Sequence, residues 1–456
     1  MTRRACFTIR EHEYLRRGLP QACADGCRIE DSDFDALKQL LVPASMLDED
    51  EDLDSNDEDM EQASRRIFRL RSHNLEEVLQ VRNFVGVIQT PTGQQIEILP
   101  KVGVSSSDAR GKLLHMLRVA HYVPAAQAYQ AGLSAVDVPL HALFVREFLA
   151  SVSAVVRRGI VHGYSQIQTN HRYLKGRLLM DKNIRYNAQR PERFYVAYEH
   201  FTPDRPENRL IRTAIDVAMD LTDDDMAQRA ARELRFAFED VPLCEEIVRD
   251  FGRCVKDRSA VHYADALAWA KLILLGMAPL GPDGKLQAGA LLFPMEKVFE
   301  RFVGKCIDRT LPPELDVKEQ VERKSLVRHC AKPRFKLRPD FLVSQDGSPR
   351  CVLDAKWKTV RAFDEEKRYG LSQADLYQVY AYGHKYLDDV AGERHVCLIY
   401  PASDTFVEPL STFEFEPGFT LHVLPVDIDS GQIRGAADIF KDLLPRAVPV
   451  GACGSL

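Results

Sequence analysis

KPRFKLRPDFLVSQDGSPRCVLDAKWK, Lys332 to Lys358, decides how this chain is read. Two extended segments, Phe335 to Val343 and Arg350 to Lys358, flank an Asp346-Gly347 turn signal, which predicts an antiparallel hairpin with a longish loop. Strand side chains alternate between faces. Cys351, Leu353, Ala355 and Trp357 therefore share one face and Asp354, Lys356 and Lys358 the other, just as Asp340 opposes Phe341 and Val343. Asp340 and Asp354 lie symmetrically about the turn. A register that follows the turn sets the two carboxylates across neighbouring strands, roughly 5 Å apart, with Lys356 two residues along on the same side.

Two carboxylates at that separation repel unless positive charge lies between them. A hard divalent cation with oxygen ligands and several waters, such as Mg2+, would be held by Asp340 and Asp354. Lys356 then supplies a point charge beside a bound water or a phosphate under attack, and the chemistry expected is metal-assisted phosphodiester hydrolysis. A bare D-x-K triplet is more often a solvated strand face. Pro339 shifts the reading toward a site, because proline removes a ladder donor and belongs at an edge or bulge, where such carboxylates are re-aimed.

Upstream, Pro294 suits a first helical position, and Met295, Phe299, Phe302, Val303 and Cys306 form an apolar stripe at helical spacing with Glu300 beside it. Leu315 to Val327 reads as a strand. Downstream, Leu371 to Leu376 carries a capping box, Ser372 with Asp375, and a hydrophobic staple, Leu371 with Leu376, so a helix starts there. The capping box accounts for Asp375. Gln378 and Tyr382 share one helix face, while Tyr380 and Tyr382 read as core or groove aromatics. Arg394 to Tyr400 and Phe419 to Val426 are further strands, giving the order helix, three strands, helix, strand.

Arg338-Pro339-Asp340, with Asp354-Ala355-Lys356 fourteen residues on, resembles the PD-(D/E)xK nuclease signature, and the element order is that of its αβββαβ core. Met295 to Val303 and Asp375-Leu376-Tyr377-Gln378 with Tyr382 resemble the McrC family, the nuclease subunit of methyl-directed, GTP-dependent McrBC restriction systems. So does a hairpin of Asn83 to Gln89 and Gln95 to Lys101, a glycine-valine strand followed by an I-x-I-L-P-K strand; Leu174 to Arg177, Phe201 to Asp204 and Asn208 to Ile211 add weaker likeness. The resemblance implies a metal site of Asp340, Asp354, the Ala355 carbonyl and Glu300, the acid of the upstream helix, with Glu296 one turn away as the alternative. It implies that Lys356 stabilises developing charge and that Gln378, in a Q-x-x-x-Y motif, orients substrate or water. The implied partner is an McrB-like AAA+ GTPase hexamer that binds the modified base and uses the GTP, and the implied substrate is double-stranded DNA containing modified cytosine. Two rivals stand beside this reading: a stand-alone RecB-like nuclease, which shares the Q-x-x-x-Y feature, and a non-catalytic adaptor that activates a GTPase.

A length of 456 residues is long for one domain and suggests two or three. The expected fold class is α/β, of an α+β multidomain kind. Residues 1–110 read as a β-rich region suited to partner docking, 111–283 as a mainly helical domain, and 284–456 as the restriction-endonuclease-like core, with Gly281-Pro282-Asp283-Gly284 as the boundary. Arg110 to Val156 and Asn208 to Gly276 are helical by periodicity. Between them, residues 171–193 form a basic segment on strands or loops, suited to a phosphate backbone or an acidic protein surface and equally to a solvated face.

The net charge of -6 hides an asymmetry: Asp48 to Glu61 holds ten acids and no base, which leaves the remainder near +4. That tract reads as a self-repelling linker or loop. The opening residues lack an apolar core, and the most apolar stretch, Leu267 to Met277, is short and interrupted by Lys271, so neither export nor a membrane span is expected and the cytoplasm is the default compartment. Of ten scattered cysteines only Cys23 and Cys27 are close, which favours reduced thiols over zinc. Gly284-Lys285 is followed by Leu286 rather than Ser or Thr, so no P-loop is formed and GTP hydrolysis falls to a partner.

Overall fold

The structure is a computed structural model that describes residues 6–39, 67–73, 75–124, 138–254, 258–276, 290–388, 390 and 392–444. The acidic tract and the turn at 281–284 lie outside the described residues. The chain packs as two discontinuous units, one of Met1–Phe7, Gly86–Glu97 and Val123–Leu292, the other of Thr8–Val85, Ile98–Tyr122 and Phe293–Leu456. This partition differs from three consecutive segments, because most of the N-terminal region packs with the C-terminal one.

The first unit is mainly helical. Leu140–Arg158, Pro206–Leu221, Asp225–Ala237 and Ala264–Gly276 bury their apolar sides against one another, among them Phe144, Phe148, Leu210, Ile211 and Trp269. Buried Asn208 ties their ends together: its amide donates to the Val161 and Pro203 carbonyls, and its oxygen accepts from Tyr263. The basic segment is not only strand and loop. It joins Gly163–His171 to Phe194–Thr202, which pair antiparallel, and it contains the helix Met180–Asn187. The expected hairpin falls mostly in this unit, as Phe84–Gln89 and Gln95–Leu99, adjacent in a four-stranded sheet.

In the second unit an N-terminal five-stranded sheet runs in the order Gln21–Cys23, Gly26–Ile29, Tyr14–Arg17, Glu76–Val81, Phe68–His73, with the helix Asp31–Gln39 among its strands in the chain. The C-terminal sheet has six strands in the order Asp316–Glu319, Phe341–Gln345, Ser348–Ala355, Arg394–Pro401, Phe419–Val426, Phe413–Glu416. Its first three strands are antiparallel, the next two join in parallel, and the last is antiparallel. A parallel step needs a long crossover. Helix Gln373–Tyr386 supplies it between Ser348–Ala355 and Arg394–Pro401.

Both faces of this sheet are covered. Helix Met295–Thr310 buries Val298, Phe299, Phe302 and Val303, and Gly304 lets it close on the sheet, since a Cβ there would lie 3.0 Å from the Phe341 ring. Proline at 294 stands at the cap rather than inside the first turn. On the other side Val379, Tyr382 and Tyr386 pack with Leu342, Val352, Val396, Leu398 and Phe419. Gly383 is required there: a Cβ would fall 2.2 Å from Phe419 Cζ.

Four expectations around the hairpin change. The second extended segment, Arg350 to Lys358, is strand only as far as Ala355 and starts earlier, at Ser348. The hairpin loop is not long but a two-residue turn, Gln345 pairing Ser348, with Asp346 and Gly347 both at positive φ as a type I′ turn demands. Phe335 to Val343 is not one strand. Lys332–Leu337 leaves the sheet to pair with Lys324–His329, and Arg338-Pro339-Asp340 interrupts the run, since Pro339 has no N–H for a ladder. Leu315 to Val327 breaks likewise, at Gln320 with φ 52°.

Candidate functional site

Ser348–Ala355 has neighbours on both edges and covered faces, so from Cys351 onward it is apolar apart from Asp354, which is 1% exposed between the fully buried Leu353 and half-buried Ala355. A carboxylate so placed costs several kcal/mol unless paired. Lys356 Nζ lies 2.6 Å from Asp354 Oδ2, which takes no directed hydrogen bond otherwise. The pairing Phe341 with Leu353, carried one step further, sets Asp340 opposite Asp354 as the alternation requires. Asp340 is fixed at both ends: its Oδ2 accepts from the Ala355 N–H at 2.8 Å, and its carbonyl accepts from the Gln320 N–H at 2.9 Å.

Lys356 is oriented by the crossover helix. Its ammonium donates to Gln378 Oε1 at 2.9 Å, the Gln378 amide donates to the Tyr382 hydroxyl at 2.7 Å, and that hydroxyl donates to the Arg338 carbonyl at 3.1 Å. Tyr382 is thus more than a core aromatic. Burial, then the Asp354 charge, pushes its pKa to about 12, so it keeps the proton it donates. Tyr380 instead lines an aromatic cavity of about 610 Å³ with Tyr369, Tyr377, Phe413 and Phe415, into which none of the site residues project.

Glu300 joins the carboxylates, whereas Glu296 does not. The Gln320 side chain donates to Glu300 Oε1, and Glu300 shares repulsion with Asp340 and Asp354. Glu296 accepts from Asn83 at 2.7 Å and belongs with Glu11 and Lys101. The Asp340 carboxyl is held well above its ordinary pKa by burial, then by Asp354 and Glu300, against the Ala355 N–H. Asp354 is raised by burial despite the Lys356 charge, and Glu300 is raised by burial despite the Gln320 amide. Burial disfavours the Lys356 ammonium, but Asp354 outweighs it and keeps the proton on.

Among the described residues no three His, Cys, Asp or Glu side chains close around a point as a preformed metal cage. The donor chemistry nonetheless suits a hard cation. Three acids with raised pKa values, one bearing a buried oxygen served by a single ammonium, are relieved by divalent charge.

Some partners escape a local reading. The Ser372 side chain makes no cap, and Asp375 is not part of a capping box: buried, it receives Lys358 on both oxygens at 2.8 Å and the Tyr400 hydroxyl at 3.4 Å. The long-range ammonium wins over the local cap. Lys358, on the Asp354 and Lys356 face by alternation, was the available signal. Gln320 gave none. Beyond the strand, Trp357 Nε1 donates to Glu11 at 3.0 and 3.1 Å, and Lys101, the last residue of the I-x-I-L-P-K stretch, donates to the Trp357 carbonyl at 2.6 Å.

Fold and site together define a mixed α/β protein with a buried carboxylate and lysine centre on a six-stranded sheet. The family model of the McrBC 5-methylcytosine restriction system component matches residues 79–401, and the chain belongs to that family. Its fold is similar to a chain in the half-complex from the tetradecameric assembly of Thermococcus gammatolerans McrB AAA+ hexamers with bound McrC, with TM-score 0.69 and 20% identity over 96% of this chain and 99% of that one. A chain of the McrBC complex of the same organism matches at TM-score 0.49 and 21% identity over 67% and 88%. None of the curated proteins matches. Among the described residues no helix is long and apolar enough to cross a membrane.

Proposed function

We propose that this chain is the DNA endonuclease subunit of an McrBC-type, GTP-dependent restriction complex, acting in the cytoplasm on duplex DNA that contains modified cytosine. In this reading helix Met295–Thr310, the six-stranded sheet and helix Gln373–Tyr386 are a PD-(D/E)xK core. The observation that carries it is the placement of Asp340 opposite Asp354 with Lys356 on the same centre, inside a chain of the McrBC family. The partner is an McrB-like AAA+ GTPase hexamer, by analogy with the T. gammatolerans assembly of McrB hexamers with bound McrC. This chain docks on it and stimulates its GTP hydrolysis.

Asp340, Asp354 and Glu300, with the Ala355 carbonyl, would hold Mg2+, which would supply Lewis acidity toward a phosphodiester and a water. Lys356 stays protonated and stabilises the negative charge that develops on the phosphate. Gln378 keeps the Lys356 ammonium on line, and the Ala355 N–H keeps Asp340 turned toward Asp354.

The test uses the complex with partner, GTP, Mg2+ and modified duplex. Asp340→Ala or Lys356→Ala should reduce cleavage by about 100-fold or more and leave partner binding and GTPase stimulation intact. Parallel loss of both activities makes these residues structural. Cleavage by the purified chain without partner or GTP would favour the stand-alone nuclease, and no metal-dependent cleavage by the wild-type complex would leave the adaptor.

A further inference from the structure

From Arg323 to Arg338 the sequence holds seven Lys or Arg and no Asp or Glu. This stretch folds as a two-stranded antiparallel ribbon, Lys324–His329 with Lys332–Leu337, apart from the six-stranded sheet. Phe335 has a left-handed backbone at φ 56°, but the register holds on either side of it. The pairs Ser325 with Lys336, Val327 with Arg334 and His329 with Lys332 put Lys332, Arg334 and Lys336 on one side of the ribbon. Of the twelve strand residues, Leu337 is the one that is buried. Packing therefore does not explain the ribbon, and two strands alone are marginal in water.

Its base is clamped to the site. The Tyr386 hydroxyl lies 2.6 Å from the Val321 carbonyl and 2.8 Å from that of Leu337 and accepts from the Arg323 N–H, while the Tyr382 hydroxyl holds the Arg338 carbonyl. Both tyrosines sit on the helix that carries Gln378, and only Pro339 separates Arg338 from Asp340. Whatever lies on the ribbon thus lies beside the carboxylates. The ion pairs of Lys336 and Arg338 with Glu322, at 3.5 and 3.3 Å, are exposed ones that exchange readily for other anions.

We propose that the Lys332, Arg334 and Lys336 face is a sequence-independent grip on the phosphate backbone of duplex DNA beside the Asp340, Asp354 and Lys356 centre, an inference that rests on the nuclease reading. Alternate strand residues stand about 6.6 Å apart, so this face spans about 13 Å. That length covers roughly four phosphates of one strand at about 3.4 Å of rise each. The ribbon has no Asn or Gln for an adenine edge and no Asp or Glu for a cytosine edge, and two of the three cations on its face are lysines, point charges suited to phosphate oxygens.

The experiment measures binding of the full-length chain to a short, unmodified, labelled duplex in EDTA over a range of salt concentrations. The slope of log K against log salt should flatten by about 0.9 for every phosphate left without its cation, so K332A/R334A/K336A should flatten it by about 2.7 and weaken binding at least about tenfold. K332R/K336R should keep the wild-type slope. If the triple variant fails to fold, K332Q/K336Q should still flatten the slope by about 1.8. An unchanged slope in the folded variants, or a wild-type chain that does not bind duplex, overturns the proposal. So does a variant that keeps DNA binding but loses the GTPase partner, because the face then serves an acidic protein. Cleavage by the wild-type complex, read beside the salt slopes, separates the two readings. A wild-type chain whose binding is ribbon-dependent but which never cleaves in its complex defeats the nuclease and spares the ribbon, whereas cleavage with no change of slope does the reverse.

Discussion

Asp354 is a charge in the buried half of its strand, and its neighbours divide between those that offset the charge and those that aggravate it. Lys356 and Lys358 offset it; Asp375 aggravates it, and Asp340 and Glu300 share repulsion with it. Asp340→Asn should therefore stabilise the metal-free chain by about 1 kcal/mol, by removing repulsion. Mg2+ should raise the melting temperature of the wild type and not of the variant, because a ligand stabilises only a fold that binds it. Thermal melts with and without Mg2+ check both arms. Gln378→Ala removes the acceptor that holds Lys356 and should slow cleavage by about tenfold through kcat, with KM little changed, in steady-state assays of the complex. Lys356→Arg should not restore the rate, since a planar fork cannot occupy the place of a compact ammonium between Asp354 and Gln378.

Among the elements, helix Gln373–Tyr386 makes a notably close approach to Phe419. Gly383→Ala places a Cβ into the Phe419 ring and should cost about 1–3 kcal/mol in denaturant unfolding, with Phe419→Leu in the same chain recovering part of it. Strands such as Arg394–Pro401 and Phe419–Val426 were legible within a residue because they are short apolar runs bounded by turn residues. The opposition of Asp340 and Asp354 was legible because a tight hairpin with period-two alternation leaves little freedom. The departure of Lys332–Leu337 from the sheet was not. Alternation says which side a residue faces but not which strand it pairs with, and the carbonyl clamps from Tyr382 and Tyr386 come from residues 44 to 65 positions away. The missing cap at Ser372 has the same cause: the local motif competes with an ammonium brought in from Lys358.

At the scale of the molecule, the N-terminal strands pack in the same unit as the site, and Glu11 and Lys101 grip Trp357 one residue past Lys356. Burial lifts the Glu11 carboxyl from 4.5 to about 7, against Lys101. A carboxyl raised on folding gives its full stability below its unfolded pKa and loses it as pH climbs through the folded one. From pH 4.5 to 7 this group should remove up to about 3 kcal/mol from wild-type stability. Glu11→Gln should flatten that part of the profile in urea titrations across the range.

The main chain of Lys356 is bonded to the carbonyl of Ile399, and its neighbour Trp357 is held by a residue from the first dozen of the sequence. A ribosome that has reached residue 390 has already made Asp340, Asp354 and Lys356, yet it has not made Arg394–Pro401, the neighbouring strand to which Lys356 is bonded. The proposed nuclease centre consequently assembles only near the end of synthesis, and a chain that stops short of Arg394–Pro401 leaves it incomplete.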